Sequence, residues 1–189
     1  MTPSAGGLLR VTTIVAAAVL AACGSQVTSP APADPVWTPP PGWVTVSNAE
    51  SSFQLTLPPY IKVGDTRGAI FANEAPPPGQ GEIPIQLWAQ GPIIDDGPRP
   101  GEELVMWVER RLENPAKGVP TVTRVALPAG AGIRYDRVDG AGTPHPWRIV
   151  VFAIETPRGP AWLMIDGPPD EWAARATDLE RIPMLFRVR

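Results

Sequence analysis

The chain has 189 residues but only one cysteine, one histidine, and no serine after Ser52. A folded domain in its later part therefore has almost no serine or cysteine that could act as a nucleophile. His145 has no second His or Cys with which to share a metal ion, and its flanking prolines favour an exposed loop. We therefore predict no catalytic residue, no metal and no cofactor.

Concentrated positive charge is also absent. The formal net charge is −3, and only Lys62 and Lys117 are lysines. Without a basic tract that could follow a phosphate backbone, nucleic acid is not an expected partner. Asp95 and Asp96 are adjacent but lack the alternating spacing of an EF-hand loop, so a solvated loop is favoured over a calcium site.

Long hydrophobic runs are missing as well. The best is the uncharged segment 11–22, and its about 12 residues are too few to cross a bilayer core but suit a signal peptide. The segment ends in Leu-Ala-Ala-Cys-Gly (20–24), which resembles the lipobox of bacterial lipoproteins. This resemblance implies a signal peptide over 1–22 and lipidation, including palmitate, at Cys23. The alternative is an ordinary secretory signal followed by a free cysteine.

Proline, in contrast, is abundant, with 26 residues. Five of them lie in 23–40, a segment too poor in large apolar groups to fold, which we interpret as an extended tether. At about 3.1 Å per residue it could hold a domain roughly 55 Å from the membrane. The expected location is the extracytoplasmic face of the cell membrane, with a single domain over 41–189. Acylation of Cys23 would leave that domain without a thiol for a disulfide.

The hydrophobic pattern of 41–189 predicts strands separated by turns, with two helices. In helix 102–114, the residues that fall at helical spacing are Leu104, Trp107, Val108, Arg111 and Leu112. The second helix is 171–182, ended by Pro183. The expected strands are 53–57, 69–73, 83–90, 121–127, 132–138, 147–155, 161–166 and a last one within 184–188.

Two details of this pattern concern the sheet. Pro84 suits an edge or a strand start, whereas strand 147–155 is apolar on both faces and so belongs at the centre. The predicted fold class is α+β, a mostly antiparallel β-sheet with two α-helices packed on it. We expect both helices on one face of this sheet.

The order of these elements resembles the PsbP-like fold, which takes its name from the extrinsic photosystem II protein and includes LpqN-type actinobacterial lipoproteins. The similar segments are a Pro-Gly-Trp and the following strand, a strand that reaches a small-residue turn, a late hairpin, and a closing helix with an Ile-x-x-x-Phe element (41–43 and 53–58; 125–130; 148–154 with 161–165; 172–186). The resemblance implies a binding or assembly factor and transfers no catalytic residue.

Tryptophan is the aromatic residue in excess, seven against two tyrosines. Trp88 is predicted to project with Gln86 and Gln90 from the strand face opposite Ile85, Leu87 and Ala89. A face that combines an indole with amides can stack a sugar or another planar ligand, or it can pack under a loop. These three residues are the candidate ligand-facing group.

Three functions remain open from the sequence. The leading hypothesis is a non-catalytic, lipid-anchored module that binds a protein or an envelope component. The second is a carrier of a small apolar or lipid ligand in a cavity between sheet and helices. The third is a carboxylate-dependent hydrolase, which needs two acidic residues in one cleft; the candidates are Asp136, Asp139, Glu155 and Asp166.

Overall fold

The computed structural model describes residues 38–48, 50, 52–65, 68–75, 84–93, 95–112 and 118–189. The predicted signal peptide, Cys23 and the tether up to residue 37 lie outside the described residues, so their predictions stay untested. All described residues belong to one compact unit of the chain.

Ten strands and two helices follow one another along this part of the chain. In chain order they are β1 (Val44–Asn48), β2 (Phe53–Leu57), β3 (Ile61–Asp65), β4 (Ala69–Glu74), β5 (Gln86–Gln90), α1 (Leu104–Arg111), β6 (Thr121–Leu127), β7 (Gly130–Asp139), β8 (Trp147–Ile154), β9 (Ala161–Gly167), α2 (Pro169–Leu179), a 3-10 turn (Ile182–Leu185) and β10 (Arg187–Val188).

The strands form two antiparallel sheets. The large sheet has the order β3-β4-β5-β9-β8-β7-β6, and the small sheet has the order β1-β2-β10. The α+β class with two helices on a mostly antiparallel sheet is confirmed. β8 lies inside the large sheet as predicted, and Pro84 precedes β5, which is an interior strand, so its strand-start interpretation is correct.

Neither β1 nor β3, which pairs with β4, is among the strands predicted from the sequence. Pro58 and Pro59 precede β3 closely, and Gly64 weakens the alternation of Ile61 and Val63. The pairing of β3 also shifts register between Val63 and Asp65. A strand that is short, irregular and at the edge leaves a weak periodic signal.

The helices differ from prediction at their ends. α1 starts two residues later than expected, because Glu103 is the N-cap and the Glu102 carboxylate accepts hydrogen bonds from the Arg99 N–H and from Arg110. These bonds lower the pKa of Glu102 to about 2. α2 begins at Pro169, and Pro183 lies within the 3-10 turn that follows it.

The expectation that both helices cover one face was wrong. α2 and the small sheet pack on the face that carries Val150, Phe152 and Leu163, with Trp172 among the contacting residues. α1 packs on the other face, where Trp107 and Val108 meet Val151, Ala153 and Trp162. We call these the α2 face and the α1 face. Because β8 and β9 are apolar on both sides, both faces of the sheet centre require a cover.

Candidate functional site

The structure places Trp88 on the α1 face, together with Gln86 and Gln90. Ile85, Leu87 and Ala89 are buried on the α2 face. Trp88 and Gln90 are half-buried, and Gln86 is exposed. The three candidate residues therefore share one face, and their role as ligand-binding residues stays a prediction.

Trp88 belongs to a group of aromatic rings around one guanidinium, which we call the Arg111 cluster. The Cζ atom of Arg111 lies 5.3 Å from the ring centroid of Trp88, 5.5 Å from that of Trp107 and 5.0 Å from that of Trp162. Strands β5 and β9 supply two of the rings, and α1 supplies the third ring and the arginine. Cation–π attraction strengthens when the cation is desolvated, so this arrangement fixes α1 on the sheet.

The polar ends of Arg111 have their own partners. One Nη donates to Asp96 at 2.8 Å, and the other donates to the Gln90 side chain at 3.2 Å. Asp96 also accepts from Arg110, and its carbonyl accepts from the Trp107 indole N–H at 2.7 Å. Asp96 thus joins its loop to α1, while its side chain stays 58% exposed.

Burial dominates the electrostatics of Arg111. The side chain is only 8% exposed, and the pKa of Arg111 is lowered, first because burial penalises the charge and also because Arg110 is nearby, while Asp96 opposes the shift. Arginine stays protonated despite such a shift. The cation is therefore held by rings and hydrogen bonds more than by water.

A small cavity of about 470 Å³ opens beside this cluster, lined by Trp88, Gln90, Ile93, Asp95, Asp96 and Arg111. The Trp88 ring stacks on Phe71, with centroids 5.7 Å apart and planes 13° apart. The indole N–H of Trp88 and the Nε of Arg111 are buried without a hydrogen-bond partner. The stacking on Phe71 favours the packing alternative for Trp88.

Phe71 is the exposed aromatic of this face, and the sequence reading did not single it out. Its side chain is 47% exposed, and it lies opposite Trp88 in the β4–β5 pairing. The strand predicted for 69–73 could have indicated its exposure, because Phe71 points to the face opposite its neighbours Ile70 and Ala72. What the sequence could not show is that β4 and β5 are neighbours.

A larger cavity lies at the other end of the α1 face, and we call it the β6 groove. Its volume is about 920 Å³, and its walls include Glu103, Leu104 and Val105 near α1, Val122 and Arg124 on β6, and Glu155 after β8. Exposed apolar side chains occur on the bordering elements: Met106 at 56%, Val119 at 94% and Val122 at 41%. The sequence predicted β6 with its observed bounds but not its position at a sheet edge, so it missed this groove.

Two of the carboxylates considered for a hydrolase are held in ion pairs. Asp136 pairs with Arg134 and Arg148, and Asp139 pairs with Arg137. Burial acts to raise the pKa of Asp136, but the bonds and charges of Arg148 and Arg134 outweigh it and lower that pKa. Both carboxylates are therefore bound to arginine side chains of the protein itself.

Neither Asp166 nor Glu155 belongs to these ion pairs. Asp166 lies on the α1 face, since β5 and β8 align it with Gln86 and Ile149, whereas Asp136 pairs with Arg148 on the opposite face. Burial raises the pKa of Asp166 to about 6, and a hydrogen bond with Trp147 opposes the shift. Glu155 borders the β6 groove. Asp136 and Asp166 therefore share no cleft.

Two further sequence predictions concern loops and ligands. His145 is exposed in the connection between β7 and β8, as predicted. Within the described ranges, no group of three His, Cys, Asp or Glu residues is placed to hold a metal ion. Among those same residues, no helix is long and apolar enough to cross a membrane.

No protein-family model matches the chain, and no curated protein matches it either. Several solved structures are similar to this chain. The Ran-binding protein Mog1p of Saccharomyces cerevisiae is 11% identical, with a TM-score of 0.52 over 77% of this chain and 95% of that one. At this identity the likeness concerns the fold alone.

Two other solved structures are similar at slightly lower scores. PsbP of the cyanobacterium Synechocystis sp. PCC 6803 is 8% identical, with a TM-score of 0.49 over 78% of this chain and 93% of that one. A Bacteroides thetaiotaomicron protein is 9% identical, with a TM-score of 0.49 over 77% of this chain and 48% of that one. The similar structures thus include a PsbP protein, the family that the sequence resembles.

Proposed function

We propose that this chain is a lipid-anchored module on the extracytoplasmic face of the cell membrane that binds a protein partner and has no catalytic activity of its own. The β6 groove is the observation that carries the proposal. It combines a volume of about 920 Å³ with the exposed apolar side chain of Val122 in its wall, and exposed apolar surface marks interaction sites.

The scarcity of chemical groups supports the same proposal. The cysteine of the chain is Cys23 and no serine follows Ser52, while Asp136 and Asp139 are held in ion pairs. The similar fold of Mog1p, a Ran-binding protein, is compatible with protein binding. The anchor rests on the segment 20–24 and the tether on 23–40, as argued from the sequence.

Lipidation of Cys23 is tested by metabolic labelling. Cells that express the full chain are grown with labelled palmitate, and we expect label on the wild-type protein and none on Cys23→Ala. Label on the Cys23→Ala protein would disprove the assignment.

Partner binding at the groove is tested by photo-cross-linking in intact cells. A photoreactive amino acid replaces Val122, which lines the groove, or Val44, which is 57% exposed on β1 of the small sheet. We expect a discrete protein adduct from position 122 and none from position 44. Equal adducts from both positions, or none from either, would count against the groove as the binding surface.

The second hypothesis, a carrier of an apolar ligand, has one observation in its favour: the β6 groove lies between α1 and the sheet. Its walls, however, include the charged residues Glu103, Arg124 and Glu155, which suit a polar partner better than a lipid tail. Co-purified lipid that native mass spectrometry detects on the wild-type chain would favour the carrier.

A further inference from the structure

Strand β6 presents a free edge of the large sheet. In the part of the chain that the structure describes, it pairs only with β7, in an unbroken register from Thr121 opposite Asp136 to Leu127 opposite Gly130. In an antiparallel pair, alternate residues direct their backbone N–H and C=O away from the partner strand. The outer side of β6 is therefore a row of backbone donors and acceptors that a further strand could meet.

Natural sheets protect their edges, and the opposite edge of this sheet is protected. There, β3 carries Lys62, contains Gly64 and shifts register between Val63 and Asp65. Lysine and bulges on an edge strand discourage pairing with another chain. β6 carries neither of these features and no proline, and its sequence, Thr-Val-Thr-Arg-Val-Ala-Leu, is rich in β-branched residues, which favour strand pairing.

The small sheet has edge strands β1 and β10, of which β10 has only two residues. The strand β1 is shorter than β6, five residues against seven, and begins shortly after the proline-rich segment 39–41. It borders neither of the cavities described above, whereas β6 lines a groove. The combination of free edge and groove thus belongs to β6.

The charges around the groove indicate what the added strand carries. Glu103 and Glu155 are exposed carboxylates in its walls, and Arg124 is the basic residue among them. Glu102 also lies there, but Arg110 occupies its carboxylate. The apolar part of the wall is formed by Leu104, Val105 and Val122. A segment with alternating apolar side chains and a lysine or arginine among them matches this surface.

A second copy of the chain fits this edge less well. In a two-fold antiparallel pairing centred on β6, Arg124 would lie opposite Arg124 of the other copy. Like charges directly opposite one another destabilise strand pairing. The charge pattern therefore favours a different protein over self-association.

We propose that β6 binds an extended, basic and apolar segment of a partner protein as an eighth strand of the large sheet. This inference rests on the proposed function and names its binding mode. Main-chain hydrogen bonds to β6 supply affinity, and the groove selects the side chains that point towards α1.

The test uses the full-length chain and a defined probe. The probe is a fluorescent peptide in which valine and threonine alternate and two positions are lysine, and its control carries glutamate at those positions. Fluorescence anisotropy is expected to show binding of the lysine peptide at least about tenfold tighter than that of the glutamate peptide, a ratio that shrinks as salt rises.

Proline substitutions separate strand addition from other modes of binding. Thr123→Pro and Ala126→Pro remove backbone N–H groups that point to opposite edges of β6. The variant whose lost N–H belongs to the β6–β7 ladder should unfold at a lower urea concentration than wild type. The variant whose lost N–H points outward should keep the stability of wild type. We expect the stable variant to bind the lysine peptide at least about tenfold more weakly than wild type.

The outcomes are decisive in both directions. Full peptide binding by the stable proline variant, or no binding of the lysine peptide by wild type at about 1 mM, overturns strand addition. Sedimentation that shows a wild-type dimer abolished in the stable proline variant assigns the edge to a second copy instead. If the adduct at position 122 persists in the stable proline variant, the binding module stands and only its mode is wrong.

Discussion

Replacing Asp166 with asparagine is expected to stabilise the protein at neutral pH by about 2 kcal/mol. The carboxyl lies on β9, its Oδ1 is buried without a hydrogen-bond partner, and burial raises its pKa from 3.8 to about 6. At pH 7 the wild-type protein must therefore hold an ionised carboxylate in a site that favours the neutral acid. Asparagine keeps an oxygen for the hydrogen bond with Trp147 and carries no charge.

The sign of the pH dependence follows from the raised pKa. A folded-state pKa above that of the unfolded chain contributes stability that is fully present below about pH 3.8 and is lost as the pH rises through about 6. The difference in free energy of unfolding between Asp166→Asn and wild type should therefore grow from pH 4 to pH 7.

Urea unfolding at several pH values measures this difference. Taking the difference between variant and wild type removes the opposite contributions of Glu102 and Asp136, whose lowered pKa values cost stability in acid. Asp95→Asn, at an exposed aspartate, is the control and should change stability by less than about 0.5 kcal/mol. Parallel wild-type and Asp166→Asn curves from pH 4 to pH 7 would show that the Asp166 site does not penalise charge.

The sequence was most informative where one physical rule decides the structure. The alternation Phe53–Leu57 and the β-branched run Thr121–Leu127 gave strands with the observed bounds, because a half-buried or pleated strand needs just those residue types. Arg111 also shares the helical spacing of the apolar residues of α1, and its side chain is buried with them.

Features that depend on which strands are neighbours could not be read from the chain. The apolar residues on both sides of β8 showed that both faces of the sheet are covered, but not that α1 covers one and α2 with the small sheet covers the other. The Arg111 cluster depends on the pairing of β5 with β9. The β6 groove depends on the position of β6 at the edge of the large sheet. Long-range pairing of this kind leaves no local pattern in a single sequence.

Truncation of Arg111 is expected to cost more stability than any change at an exposed arginine. Arg111→Ala removes a guanidinium that contacts three tryptophan rings, and it leaves a space among large side chains. We expect a loss of about 3 kcal/mol in the free energy of unfolding. Arg124→Ala, at an exposed position of β6, is the control, with a change below about 0.5 kcal/mol.

Two further substitutions separate packing from charge. Arg111→Met fills most of the volume with a flexible side chain that suits aromatic surroundings, and it has no charge to desolvate, so it should lose only about 1 kcal/mol. Arg111→Lys keeps the charge but not the planar guanidinium, and its strongly hydrated ammonium fits poorly between rings. The stability loss of Arg111→Lys should therefore lie between those of Arg111→Met and Arg111→Ala.

The ion pair with Asp96 is expected to matter little by comparison. The Asp96 side chain is 58% exposed, so water and salt screen its attraction to Arg111. Asp96→Asn should therefore cost less than about 1 kcal/mol, and added salt should leave the order of the Arg111 variants unchanged. If Arg111→Met costs as much as Arg111→Ala and Arg111→Lys costs nothing, charge and not ring packing holds α1 on the sheet. A loss of stability that increases from Arg111→Met to Arg111→Lys to Arg111→Ala would instead show that packing of the aromatic rings, and not the charge, makes the Arg111 cluster stable.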